Sequence, residues 1–514
     1  MLPKFQNEPY LDFSKPDNKK GMLEAIASLK SRADNEWSLV IGGKHLKAKE
    51  QFQSLNPSDR SPVGRFQRAT VKEAEQALKA ARAAFEEWRR IPAIERASIF
   101  FRAARIMRQR RLEFDAAMVL EVGKNWLEAD ADFAEAVDFL EFYGREAIRY
   151  EQPCGVTPYP GEIQEVRYIP LGVGVVIPPW NFPCAIMAGM TTAAAVAGNT
   201  VVLKPSSDAP LIASMFVEVL EEAGLPDGVV NLVTGPGTPV GDYLVEHPKT
   251  RFISFTGSKD VGLKIVEKAA RLAPGQIWIK RVVAEMGGKD CIIVDSEADL
   301  SAAVEGVVVS AYGFQGQKCS ACSRAVVDAK VYDEFLDMLL ERVKKIRVGP
   351  VEEPENWLGP VINQRAFDSI MGYIALGKKE GRLVAGGKPA PGPGWFIEPT
   401  VFADVGRKAR IAQEEIFGPV LAVMKARNFT DALQIANSTE YGLTGAVYTR
   451  NREKIYRAKQ EFHVGNLYFN RKCTGALVDV QPFGGFNMSG TDSKAGGRDY
   501  LLLFLQAKSM TERF

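Results

Sequence analysis

Histidine is the scarcest reactive side chain here, with three residues, His45, His247 and His463, in a chain of 514. None pairs with cysteine at a metal-binding spacing. A zinc site or a histidine-based triad has little to build with, and no metal is expected. Cysteine is sparse as well. The six, at 154, 184, 291, 319, 322 and 473, form no disulfide pattern, which points to a reducing compartment and a cytoplasmic location. Neither sign of charge is in excess. With 65 basic and 63 acidic residues the net charge is +2, which gives no electrostatic reason to bind nucleic acid or an anionic membrane. An apolar run long enough to cross a bilayer, about 20 residues, is also missing. The opening stretch MLPKFQNEPYLDFSKPDNKK has neither the apolar core of a secretion signal nor the Arg- and Ser-rich character of a transit peptide.

What is present is a long chain of ordinary globular composition, 46% hydrophobic and 25% charged. A single core stops growing at roughly 250–300 residues, so two or more domains are expected. From about Thr70 to Tyr150, apolar residues at helical spacing predict helices. After Pro153, short apolar runs alternate with helical stretches: VGVVIP, a helix from Pro183 to Ala197, VVLKP, IASMFVEVLEEAG, VVNLVTG and RFISFTGS. Strands that are apolar throughout, alternating with helices, predict a parallel sheet covered on both faces. A second alternating block begins near Val283 with DCIIVD and runs to about Asn470. The fold class is therefore α/β, with two α/β domains and the chemistry between them.

Four motifs carry reactive groups. FQGQKCSACSR places Cys319 in a glycine-containing turn, read as preceding a helix whose dipole would favour the thiolate. VAEMGGKD sets Glu285 between apolar residues and a Gly-Gly turn, where desolvation raises a carboxyl toward a useful base. PPWNFP brackets Asn181 with rings and prolines, fixing an amide that could donate to an oxyanion. SFTGSKDVG runs strand, turn, helix, and the helix start could hold a pyrophosphate. Taken singly, each has a plainer reading: a buried thiol, a paired carboxylate, a turn amide and an ordinary cap. Cys319 and Cys322 also have CxxC spacing, although no second pair or nearby histidine supports a metal or redox site.

Their order along the chain is more specific than any one of them. PWNFP, VVLKPS, FTGS, EMGGKD, GQKC, EEIFGPV and PFGGFNMSG follow one another in a pattern that resembles the aldehyde dehydrogenase superfamily, from about Ile41 to the C-terminus. AIMAGMTTAA, PGQIWIKRVVAEMGGKD, GQKCSACSRAVV, HVGNLYFNRKCTGALV and QPFGGFNMSGTDSKAGG bring the resemblance closest to the branch acting on L-glutamate γ-semialdehyde.

The resemblance implies a Rossmann-type coenzyme domain (1–151 and 169–282), an α/β catalytic domain (283–470) and a small β flap (152–168 and 497–514) that joins subunits into a homodimer or larger homo-oligomer. It implies Cys319 as nucleophile, Asn181 as oxyanion donor and Glu285 as the base that activates water. Lys204 would bind the adenosine ribose, Gly257 and Ser258 the pyrophosphate, and Glu415 the nicotinamide ribose, with Phe417, Pro179 and Trp180 walling the cleft. Ser207 stands where many NAD-specific members carry glutamate, which implies NAD and leaves NADP open. Phe182 and Phe483 would flank the substrate stem. Ser320, Gly475 and Ala476 would anchor its carboxylate, with Glu135 close to the same tunnel. The activity implied is NAD(P)-dependent oxidation of glutamate semialdehyde to glutamate; the alternative is another small aldehyde or semialdehyde.

Overall fold

The computed structural model describes residues 2–514. Four helices fill the stretch expected to be helical: Val71–Trp88, Ala93–Gln109, Arg111–Val122 and Trp126–Glu151. The first opens with a capping box in which Thr70 and Glu73 satisfy each other's backbone N–H groups. Asn125 caps the last by accepting from Glu128 N–H.

Two seven-stranded sheets follow. The first has the order Arg281–Glu285, Phe252–Thr256, Val173–Ile177, Thr200–Leu203, Val230–Leu232, Leu39–Ile41, Lys44–Leu46. Its first five strands are parallel and the last two antiparallel. The second has the order Arg382–Ala385, Thr400–Ala403, Val420–Ala426, Cys322–Asp328, Asp290–Val294, Thr444–Tyr448, Asn466–Phe469. All of it is parallel except its first pair. The central runs VVLK, DCIIV and CSRAVVD are almost wholly buried, as parallel strands covered on both faces require.

The strand Arg281–Glu285 pairs with Phe252–Thr256, so residues 283–285 close the first sheet and do not open the second. A domain division at 283 therefore cuts a strand. The apolar run VVAE reads equally well as the end of one sheet or the start of another.

The flap is a two-stranded antiparallel ribbon, Glu162–Pro170 against Leu505–Arg513, in register from Leu505 opposite Pro170 to Arg513 opposite Glu162. Arg281 holds its root: Nη1 donates to the carbonyls of Leu502, Leu503 and Leu505 at 2.8, 2.7 and 3.0 Å.

Candidate active site

In the first sheet, four adjacent parallel strands end on four of the motifs. Val173–Ile177 runs into Pro178–Phe182, Thr200–Leu203 into Lys204, Phe252–Thr256 into Gly257–Ser258, and Arg281–Glu285 ends on Glu285 itself. The carboxyl edge of a parallel sheet is where open α/β folds bind ligands. The second sheet contributes its opposite edge. Cys319 precedes Cys322–Asp328, and Glu415 and Phe417 precede Val420–Ala426.

The Gly287–Gly288 turn draws these edges together. A Cβ on Gly287 would lie 2.2 Å from a Glu415 carboxyl oxygen, and one on Gly288 would lie 2.4 Å from the Cys319 carbonyl oxygen. Only glycine lets both neighbours approach. Gly288 N–H donates to Glu415 Oε1 at 3.0 Å.

A cavity of about 110 Å³ opens between the edges, lined by Cys319, Glu285, Ser320 and Glu135, by the rings of Phe182 and Phe483, and by the Gly475–Ala476 loop. Those eight expected residues therefore share one chamber. Asn181 does not line it. It is buried, and its Nδ2 donates to Gln317 O at 3.1 Å, two residues before Cys319, with one N–H of the amide left over.

The setting of Cys319 corrects one expectation. No helix follows it. A turn with left-handed Phe314, Gln315 and Gly316 (φ 48°, 58° and 69°) leads in, and the strand Cys322–Asp328 leads out. The β-branched run after Arg324 favours a strand, so no helix dipole reaches the sulfur. Burial pushes the thiol well above its usual range, and Asp290, Glu415 and Glu285 add to the effect.

Glu285 follows expectation in direction. Burial raises its carboxyl to about 8, against hydrogen bonds and the Lys494 charge that lower it. Its Oε1 accepts from Ser493 Oγ, while Oε2 is buried without a partner. Burial, with help from Asp132 and Asp138, likewise pushes Glu135 up to about 8.

On the coenzyme side, Lys204 is buried, and its ammonium donates only to the carbonyls of Pro205 (3.2 Å) and Gly235 (3.0 Å). Burial pulls it down to about 8. A buried cation held by neutral carbonyls suits ribose hydroxyls. Ser207 Oγ donates to the same Gly235 carbonyl at 2.9 Å. Ser258 caps the helix Lys259–Ala270 without using its side chain, which leaves hydroxyl and helix start available to a pyrophosphate. Half-buried Trp180, next to Pro179, meets Phe417 edge-on at 5.5 Å. Burial raises Glu415 to about 7. These groups fit a dinucleotide.

Sequence reasoning missed several neighbours. Arg471 Nη2 donates to Thr474 O and Gly475 O, both at 3.0 Å, tying down the carbonyls of that turn. Lys318 pairs with Glu128 at 2.6 Å, next to Cys319 in the chain. Ile186, Gly189, Met190, Tyr143 and Tyr500 are also among the residues that line the chamber. AIMAGM marks the family resemblance, and nothing in its pattern signals a cavity wall.

Residues 45–510 match the aldehyde dehydrogenase family, and the chain belongs to that family. It is 56% identical, over the full length of both chains, to a 1-pyrroline-5-carboxylate dehydrogenase of Geobacillus thermodenitrificans (strain NG80-2). A Thermus 1-pyrroline-5-carboxylate dehydrogenase solved with bound NAD superposes with a TM-score of 0.99, at 53% identity and covering 100% of both chains. Proline utilization A of Bdellovibrio bacteriovorus matches at 48% identity and a TM-score of 0.98, covering 99% of this chain and 53% of that one.

Proposed function

We propose that the chain oxidises L-glutamate γ-semialdehyde, the open form of 1-pyrroline-5-carboxylate, to L-glutamate with NAD. The carrying observation is the chamber that joins Cys319 and Glu285 to the Gly475–Ala476 loop. A short aldehyde with an anionic head group spans such a space. The Cys319 thiol gives its proton to solvent, its sulfur bonds to the aldehyde carbon as the carbonyl pair moves onto oxygen, and the Asn181 amide with the Cys319 N–H steadies the developing oxyanion. Held by Lys204, Ser258 and Glu415, NAD would supply a hydride acceptor, which leaves the acyl group on Cys319 as a thioester. Glu285 then takes a proton from water, whose oxygen displaces the sulfur.

Phe182 and Phe483 flank the stem in this reading, and the amides of Gly475 and Ala476, with the Ser320 hydroxyl, hold the carboxylate. Gly475 sits at φ +75°, a left-handed position that suits glycine and helps form a backbone nest for an anion. Ala476→Pro deletes one N–H. It should raise KM for the semialdehyde and Ki for glutamate together, by roughly tenfold if one hydrogen bond to a charge is lost. A substrate panel at fixed NAD tests the assignment. Equal kcat/KM for propanal and glutamate semialdehyde would replace it with a dehydrogenase of another small aldehyde.

Coenzyme choice rests on Ser207. A hydroxyl turned to Gly235 O cannot repel a 2′-phosphate, so NADP should be turned over, though less well than NAD. Ser207→Glu should widen the preference for NAD by setting a carboxylate against that phosphate. No turnover of NADP by the wild type would defeat the argument.

We also propose that the flap joins subunits into at least a dimer. A lone two-stranded ribbon is marginal, and this one leaves Ile163 and Phe514 exposed. Mass in solution is the relevant measurement.

A further inference from the structure

One contact in the chamber has no part in the scheme above. Glu285 is gripped by the segment Gly484–Lys494, which returns past it after the last strand of the second sheet, Asn466–Phe469. A Cβ on Gly484 would lie 3.2 Å from Glu285 Oε1, and one on Gly490 would lie 3.2 Å from Oε2, so backbone walls the carboxyl on both sides. Ser493, itself 3% exposed, donates its hydroxyl to Oε1. Oε2 is left as the buried, unpartnered oxygen of a side chain that lines the cavity. Lys494 does not bond that oxygen. Its ammonium donates to Gly465 O at 2.8 Å and to Gly484 O.

We propose that Ser493 is a positioning residue for thioester hydrolysis, pinning one oxygen of Glu285 so that Oε2 is always the oxygen presented to water. This rests on Glu285 being the base. In the step it serves, water gives a proton to Oε2, its oxygen bonds to the thioester carbon, the carbon–sulfur bond breaks, and the electron pair leaves on Cys319. No oxidant or reductant takes part. Besides Ser493, the groups that bear on the Glu285 charge are Lys494, Asp492, the Gly485 N–H, Tyr500 and Cys319. Of these, only Ser493 is a neutral side-chain donor already bonded to the carboxyl.

The test is stopped-flow formation of NADH by the full chain with NAD and glutamate semialdehyde. Ser493→Ala should keep a full burst at near wild-type rate. Its steady state should slow on the order of 10- to 100-fold, the worth of a hydrogen bond to a charged group. The pH midpoint of the slow phase should move upward, because the lost bond favoured the ionised carboxyl. Ser493→Thr, which keeps the hydroxyl, should restore rate and midpoint. If the alanine variant does not fold, Ser493→Cys, a weaker donor of nearly the same shape, should fall between. A wild-type steady state and midpoint in the Ala or Cys variant overturns the proposal, as does equal loss of burst and steady state. Glu285→Gln run alongside separates the premises. If it hydrolyses thioester normally, the base assignment fails; if it is slow while the Ser493 variants are not, only the positioning role fails.

Discussion

Cys319→Ala is expected to remove aldehyde oxidation by about 10⁴-fold or more, the scale on which losing a covalent nucleophile is felt, while folding and NAD binding persist. The substitution trims one sulfur from a cavity wall and leaves the Gly287–Gly288 turn and the Lys204 and Glu415 contacts in place. Cys322→Ala should keep activity within several-fold. Cys322 is buried at the start of the strand Cys322–Asp328, with its thiol donating to Arg324 O at 3.4 Å. Because burial holds the Cys319 thiol well above its usual range, its alkylation by iodoacetamide without NAD should be slow at pH 7 and quicken steeply with pH. Mass mapping of the labelled peptide together with NADH formation checks both points. An active Cys319→Ala enzyme, or a dead Cys322→Ala enzyme that still folds, would reverse the assignment.

Most of the fold is legible in the sequence because its strands are continuous apolar runs and its long helices are periodic. The runs VGVVI, VVLK and DCIIV say buried and parallel before any coordinate is known. The N-terminal strands Glu50–Leu55 and Pro62–Arg68 are less visible. EQFQSL has five exposed or half-exposed positions out of six, so its pattern resembles that of a loop. The candidate site divides along similar lines. Motif order singles out Cys319, Glu285, Lys204 and Glu415, and each lies where a strand of one of the two sheets begins or ends. What fails is the local electrostatics. The charge state of Cys319 depends on the burial and carboxyls that tertiary packing brings, and a turn read from five residues cannot reveal whether a helix or a strand follows. Ser493 and Arg471 are invisible for the same reason. A serine 208 positions from its partner carboxyl carries no local signal.

Glu285→Gln should divide the reaction in two. The amide keeps the shape of the side chain and can still face Ser493, so the chamber should stand. Acylation needs the sulfur and the hydride acceptor, and should give one equivalent of NADH per site. Hydrolysis needs a proton acceptor, which an amide is not, so the steady state after the burst should fall by roughly 10²–10⁴-fold, the usual worth of general base catalysis. The pH dependence sharpens the test. With its carboxyl raised to about 8 by burial, Glu285 is mostly protonated at neutral pH and becomes a base as pH rises through that value. Wild-type turnover limited by hydrolysis should therefore climb between about pH 7 and 9. In the glutamine variant that ascending limb should vanish from the slow phase, leaving only the direct attack of hydroxide, whose rate keeps rising in proportion to its concentration. The burst should keep its own pH dependence, governed by ionisation of the Cys319 thiol. If instead the glutamine variant forms no NADH in a single turnover, Glu285 acts in the first step, taking the proton from the cavity-lining Cys319 thiol. The water-activating role would then have to be sought elsewhere in the chamber, where Glu135 is the other carboxyl held near 8.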